Sequence, residues 1–141
     1  PLIRVASLRK LCDAHARHRA AVTVLTAIMK DPFGLGRIVR DENGQVIRIV
    51  EEKDAADEER VIREVNSSIY CFDTRLLFDA LTRITPDNKQ GELYLTDTIA
   101  ILRGDGGWVA GSIAENANDT TGINTMDDLG QADRIMQSRL G

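Results

Sequence analysis

Residues 34–54, GLGRIVRDENGQVIRIVEEKD, constrain the fold more tightly than any other stretch of the chain. Asn43-Gly44 sits between two runs of alternating apolar residues, the strongest short-range signal of a β-hairpin, because a type I′ turn needs positive φ at both central positions. Strands are predicted over 36–41 and 45–51. The turn explains the middle of the stretch. It does not explain why bare backbone, Gly34 and Gly36, launches the first strand, or why the second ends on Glu51, Glu52, Lys53 and Asp54.

The flanking sequence alternates helix and strand. Leu8, Leu11, Cys12 and His15 recur at helical spacing, which predicts a helix over 5–20. Residues 21–29, AVTVLTAIM, are almost continuously apolar or β-branched, as in a strand covered on both faces. A charged connection follows the hairpin, and Val65, Ile69, Tyr70 and Phe72 predict a strand over 63–73. Leu76, Leu77, Ala80, Leu81 and Ile84 stripe a helix that Asp73 or Thr74 can cap. A helix from Thr96 or Asp97 to Gly104 and a short strand over 107–114 come next. Thr125 and Asp128 resemble a capping box for a last helix, with Leu129, Ala132 and Met136 expected to face inward. This order reads as α/β.

Composition narrows the classes. A chain of 141 residues, 43% hydrophobic, can bury one core, so a single folded unit over 1–141 is expected. A net charge of −4 with both signs interspersed argues against nucleic acid or an acidic membrane as the main partner. No apolar run reaches the ~18 residues of a membrane span. Cys12 and Cys71 form no CxxC pattern and read as two reduced thiols, which points to a cytoplasmic location. His15 and His18 are spaced for a metal on a helix, but basic residues favouring a helix C-terminus account for them better.

Four stretches carry more polar chemistry than a core needs, each with two readings. Gly34-Leu35-Gly36 is either a bend or a backbone N–H offered to a ligand. Within VEEKD, Glu52 and Asp54 read as solvated charges, whereas Glu51 shares the phase of Ile47 and Ile49 and needs a partner such as a sugar hydroxyl. Asn66, in a strand where asparagine is depleted, either pairs with nearby backbone or faces a polyol. Thr96-Asp97 and Asn124-Thr125 are either helix caps or ligand contacts.

Taken together, DPFGLGRIVRDENGQVIRIVEEKDA, REVNSSIY, DNKQGELYLTD and GINTMDDL resemble bacterial N-acetylglucosamine-1-phosphate uridyltransferases, in order and over nearly the whole chain. The resemblance is to the C-terminal half of the nucleotidyltransferase domain. It implies a Rossmann-like nucleotide-diphospho-sugar transferase domain with a mixed sheet flanked by helices. It also implies transfer of UMP from UTP to N-acetylglucosamine-1-phosphate, with Mg²⁺, giving UDP-N-acetylglucosamine and pyrophosphate. By the same resemblance Gly36, Glu51 and Asn66 meet the sugar, Tyr94 and Thr96 line the N-acetyl pocket, and Asn124 is a substrate and Mg²⁺ contact. The family usually has tyrosine at Leu35, glycine at Ser68 and alanine at Lys89, and asparagine then arginine where Thr125 and Met126 stand.

The family's triphosphate-clamping glycine-rich loop, its lysine and its metal-binding aspartate belong to a segment expected before Pro1. Its acetyltransferase β-helix, through which full-length members form trimers, is expected after Gly141. By the resemblance this chain supplies the sugar-binding part and part of the metal site of the complete enzyme; the isolated chain is expected to lack uridyltransferase activity and to leave a sheet edge open to pairing. A transferase for another sugar phosphate and a non-catalytic sugar-binding or assembly fragment remain as alternatives.

Overall fold

The central strand sets the layers. In the computed structural model, which describes residues 2–123 and 125–141, six of the seven residues of β1 (Val22–Ile28) are buried. Alternation sends Val22 and Val24 to one face and Thr23 and Leu25 to the other. The first pair joins a core with Ile38, Val46, Ile49, Ala80, Ile99, Leu102 and Val109. On the opposite face Thr23 meets α1 (Val5–His18), where its Oγ1 lies 3.1 Å from His15 Nδ1.

Around β1 the sheet has the order β3 (Val46–Val50), β2 (Arg37–Arg40), β4 (Glu64–Phe72), β1, β5 (Val109–Ile113). β4 pairs antiparallel with β1, and β5 pairs parallel to it. The hairpin strands β2 and β3 pair with each other. They join the rest through the Arg37–Val65 pairing and an Asn66 N–H to Gly36 C=O bond of 2.8 Å. A short helix, α2 (Asp57–Arg60), bridges β3 to β4, and α3 (Thr74–Leu81) follows β4, with Asp73 capping two of its N–H groups. α4 (Asp97–Gly104) supplies Ile99 and Leu102 to the core, and a 3₁₀ turn (Ala117–Thr120) leads to α5 (Met126–Leu140). The mixed, helix-flanked α/β sheet expected from the sequence is present.

Several details differ from the sequence reading. Gly44 takes φ +77° but Asn43 does not turn positive, so the hairpin closes without a type I′ pair. Asp41 is the reason: its carboxylate accepts the Asn43 and Gln45 N–H groups while its carbonyl accepts Gly44 N–H. That favours a longer loop with one left-handed glycine, and the strand register shifts between Val39 and Arg40.

α5 does not bury a stripe either. Ala132 is buried, while Leu129 and Met136 are 47% and 39% exposed. The helix is held at its end by charge. Arg139 binds the fully buried carboxylate of Asp119, which also takes Arg4 and Ser7, and donates to the Leu2 carbonyl. The Thr125–Asp128 capping box forms as expected. His18 stacks on Trp108 at 5.7 Å, so both helix-end histidines have structural partners.

β4 carries a bulge. Its register against β1 passes from Ile69–Leu25 to Asn66–Thr26, leaving Ser67 and Ser68 as extra residues. Ser68 sits at φ +61° with an exposed side chain. A non-glycine residue there costs about 1–2 kcal/mol, of which glycine's greater freedom in the unfolded chain would return about 0.5–1 kcal/mol. Ser68→Gly is therefore expected to stabilise the chain by roughly 0.5–1 kcal/mol. A urea unfolding midpoint equal to or below wild type would refute that strain.

Candidate functional site

The bulge and the hairpin exit face one cavity. It has a volume of about 330 Å³ and is lined by residues 34–36, Glu51, Asn66, Ser68, Tyr70 and residues 93–96. Of the residues singled out from the sequence, Gly36, Glu51, Asn66, Tyr94 and Thr96 thus come together from four separate segments. Asn124 lies outside the described residues.

Each side chain is held by a local device. Gly34 turns the chain at φ +77°, and its N–H donates to Glu52 Oε2 at 3.1 Å. Gly36 marks a close approach instead: a Cβ there would press on Ile49 Cγ2 at 3.0 Å, which would have to give by a few tenths of an ångström, and would touch the Glu51 carboxylate at 3.4 Å. The two glycines are thus a bend and a close approach. Glu51 leaves β3 beside this bare backbone, and Thr96 Oγ1 donates to its Oε1 at 2.9 Å. Thr96 makes no side-chain cap to α4, so the cap reading fails for that hydroxyl.

Asn66 is positioned through its own bulge. Its Oδ1 accepts Ser68 N–H at 3.0 Å, and its Nδ2 donates to Tyr70 Oη at 2.7 Å. This leaves one amide hydrogen and one lone pair for a ligand. Burial pushes the Tyr70 phenol up from its ordinary value, which keeps it neutral and able to hold the amide. From the sequence alone Tyr70 reads only as a strand former. Positions 66, 68 and 70 share one strand phase, which was the available signal.

Glu52 and Asp54 are not merely solvated, contrary to the reading of VEEKD. Glu52 is the counter-ion of Arg37, a guanidinium only 2% exposed, at 2.6 Å. Arg37 also donates to the Leu35 and Arg60 carbonyls. Asp54 Oδ1 accepts the Lys89 N–H at 2.9 Å. The partner hidden from the sequence was Arg37, which alternates with the core residue Ile38 and, buried on the other face of β2, needs an acid within reach.

The electrostatics follow from this packing. Hydrogen bonding from Arg37 holds the Glu52 carboxyl below the usual range. Burial, reinforced by the charges of Glu51 and Asp54, raises Asp97. The cavity is thus an acceptor-rich pocket with neutral amide, hydroxyl and phenol groups around one carboxylate, suited to a neutral polyol. Asn66 and Leu35 also line a second cleft of about 210 Å³ that reaches Thr120, Thr121, Gly122 and Asp128. Among the described residues, no group of three or more His, Cys, Asp or Glu is placed to hold a metal ion. No helix described is long and apolar enough to cross a membrane.

The Glu52 geometry fixes an acid response. A carboxyl whose folded-state value is depressed stabilises the fold above its unfolded value, near ~4.3, and that contribution is lost as pH falls through the folded value. Wild type should lose stability more steeply below about pH 4.3 than Glu52→Gln, while being more stable than that variant at neutral pH. Parallel pH profiles in urea unfolding would show that Arg37 does not depend on Glu52.

Known proteins agree with this architecture. The family model described as nucleotidyl transferase matches residues 2–138. The chain is 50% identical over 140 residues to the bifunctional protein GlmU of Geobacillus thermodenitrificans, covering 99% of this chain and 30% of that protein. It is 46% identical to the bifunctional protein GlmU of Brevibacillus brevis and 48% identical to that of Limosilactobacillus fermentum, again over 99% of the chain and 30% and 31% of the relatives. The chain therefore spans under a third of the length of these curated relatives. A solved structure from Bacillus anthracis, titled as a glucose-1-phosphate thymidylyltransferase in complex with a sucrose, shares the fold with a TM-score of 0.64 at 20% identity. It covers 91% of this chain and 48% of that one.

Proposed function

Because the chain belongs to the nucleotidyl transferase family, we propose that it forms the sugar-binding side of an enzyme that makes UDP-N-acetylglucosamine from UTP and N-acetylglucosamine-1-phosphate. The observation that carries this reading is the single cavity assembled from Gly36, Glu51, Asn66, Tyr94 and Thr96. The likeness to bifunctional GlmU proteins supports the choice of sugar and nucleotide.

In this reading the chain's residues align rather than react. Thr96 holds one oxygen of Glu51, so the carboxylate presents the other to sugar hydroxyls. The remaining hydrogen-bonding capacity of Asn66 meets the same ring, and the bare backbone at Gly36 lets the sugar lie against β2. Residues 93–96 close the pocket on the side of the N-acetyl group. The anchored sugar phosphate then directs an oxygen in line at the α-phosphorus of UTP. A new oxygen–phosphorus bond forms as the bond to pyrophosphate breaks. Nothing in this alignment asks for a nucleophile from the protein.

Mg²⁺ is brought in by the family resemblance, and its proposed ligand Asn124 is outside the described residues. Among the described residues no three His, Cys, Asp or Glu side chains gather to hold a metal ion by themselves. A cytoplasmic location is part of the same proposal.

Titration of the chain with UDP-N-acetylglucosamine, UDP-glucose and dTDP-glucose tests the assignment. UDP-N-acetylglucosamine should bind tightest. Glu51→Ala should weaken it by roughly one to two decades, since a hydrogen bond to a charged acceptor is worth about 1.5–3 kcal/mol. Asn66→Ala, which removes a neutral partner, should weaken it less. Tighter binding of dTDP-glucose, or indifference to both substitutions, would sink the reading.

A further inference from the structure

The loop that walls the cavity is fastened to the hairpin exit through one residue. Asp54 does not line the cavity, yet one of its oxygens binds the loop. Oδ1 accepts the Lys89 N–H at 2.9 Å. Oδ2 is the one buried side-chain oxygen among the described residues with no hydrogen-bond partner. Such an orphan is costly unless a donor completes it.

The donor can be found by counting. Tyr94 Oη accepts from Gln90 Nε2 at 2.5 Å, which leaves its own proton to place. The Asp54 carboxylate faces that phenol: burial raises the Tyr94 pKa, and the charge of Asp54 adds to the rise. Lys53 Nζ binds Gln90 Oε1, so a second bond from the same turn orients the glutamine. The polar groups form a directed chain, Lys53 to Gln90 to Tyr94, that ends one step short of Asp54 Oδ2.

We propose that Asp54 is a positioning residue of the sugar site: it latches the Lys89–Tyr94 loop and, through Tyr94, holds the pocket wall that distinguishes N-acetylated sugars from plain ones. When the loop seats, the Tyr94 hydroxyl donates to Asp54 Oδ2 and completes both groups. The selectivity clause rests on the function proposed above. The latch itself does not.

Two readouts separate them. Amide hydrogen exchange in the ligand-free chain reports the latch. Asp54→Ala and Tyr94→Phe should each speed exchange over 88–95, Asp54→Ala by roughly tenfold, with β1 and α4 unchanged, and the double variant should be no faster than Asp54→Ala alone. Unchanged exchange over 88–95 in Asp54→Ala, or additive effects in the double variant, overturns the latch. The ratio of affinities for UDP-N-acetylglucosamine and UDP-glucose reports selectivity. Asp54→Ala should lower that ratio, whereas a merely structural loss would weaken both ligands equally. An unchanged ratio overturns the selectivity role. If wild type binds neither nucleotide sugar while the exchange coupling holds, the site assignment fails and the latch stands.

Discussion

Arg37 is the constraint around which the site side of this chain is arranged. A guanidinium removed from water is tolerable only when its donors are met by acceptors of good geometry. Here they are met by Glu52 and by the carbonyls of Leu35 and Arg60. These partners come from the loop before β2, the exit of β3 and the end of α2. One buried side chain therefore fixes where the glycine loop runs, where the hairpin ends, and how the hairpin meets β4 through Val65. Glu51, the next residue back from Glu52, is placed in the cavity as a consequence. The acids that close the hairpin divide between inner support and cavity wall.

The second device is local strain. A regular β4 would continue its register past Leu25 and set Asn66 opposite Ile28, two residues further along β1 on the same face, instead of opposite Thr26. The two extra residues bend the strand, and the amide oxygen of Asn66 takes the Ser68 N–H that the bulge frees. Serine at that left-handed position costs stability, and the strain sits next to a proposed ligand contact, where it serves to aim a side chain.

The sequence made the scaffold and most of the cavity legible, for different reasons. Periodicity located the strands and helices because burial on one face leaves a pattern within a few residues. The grouping of Gly36, Glu51, Asn66, Tyr94 and Thr96 came from family resemblance, since no local rule links segments dozens of residues apart. What stayed hidden was pairing. Glu52 looks solvated until Arg37 is seen buried opposite, and Asp54 looks solvated until the Lys89 N–H is seen above it. The hairpin turn misled for a related reason: Asp41, just outside the Asn-Gly pair, captures backbone donors and selects another loop. The α5 stripe misled because an end-on ion pair to Asp119 can hold a helix that buries little.

These pairings divide the cavity into two walls of unequal stiffness. Gly36, Glu51, Asn66 and Tyr70 stand on strands or their ends, tied into the sheet by backbone ladders and by Arg37. Leu93 and Tyr94 stand on a loop joined to the sheet by a few polar contacts at Asp54 and Lys53, and Leu93 is 68% exposed. Elements with few buried apolar contacts open at low free energy, whereas strands open only near the cost of global unfolding. Features common to all sugar rings are best met by the stiff wall, where hydroxyl acceptors can be preorganised. In the function proposed above, discrimination at one substituent falls to the wall that can move. A fold that keeps its ring contacts on the sheet and its selective contacts on a tethered loop can change the second without disturbing the first.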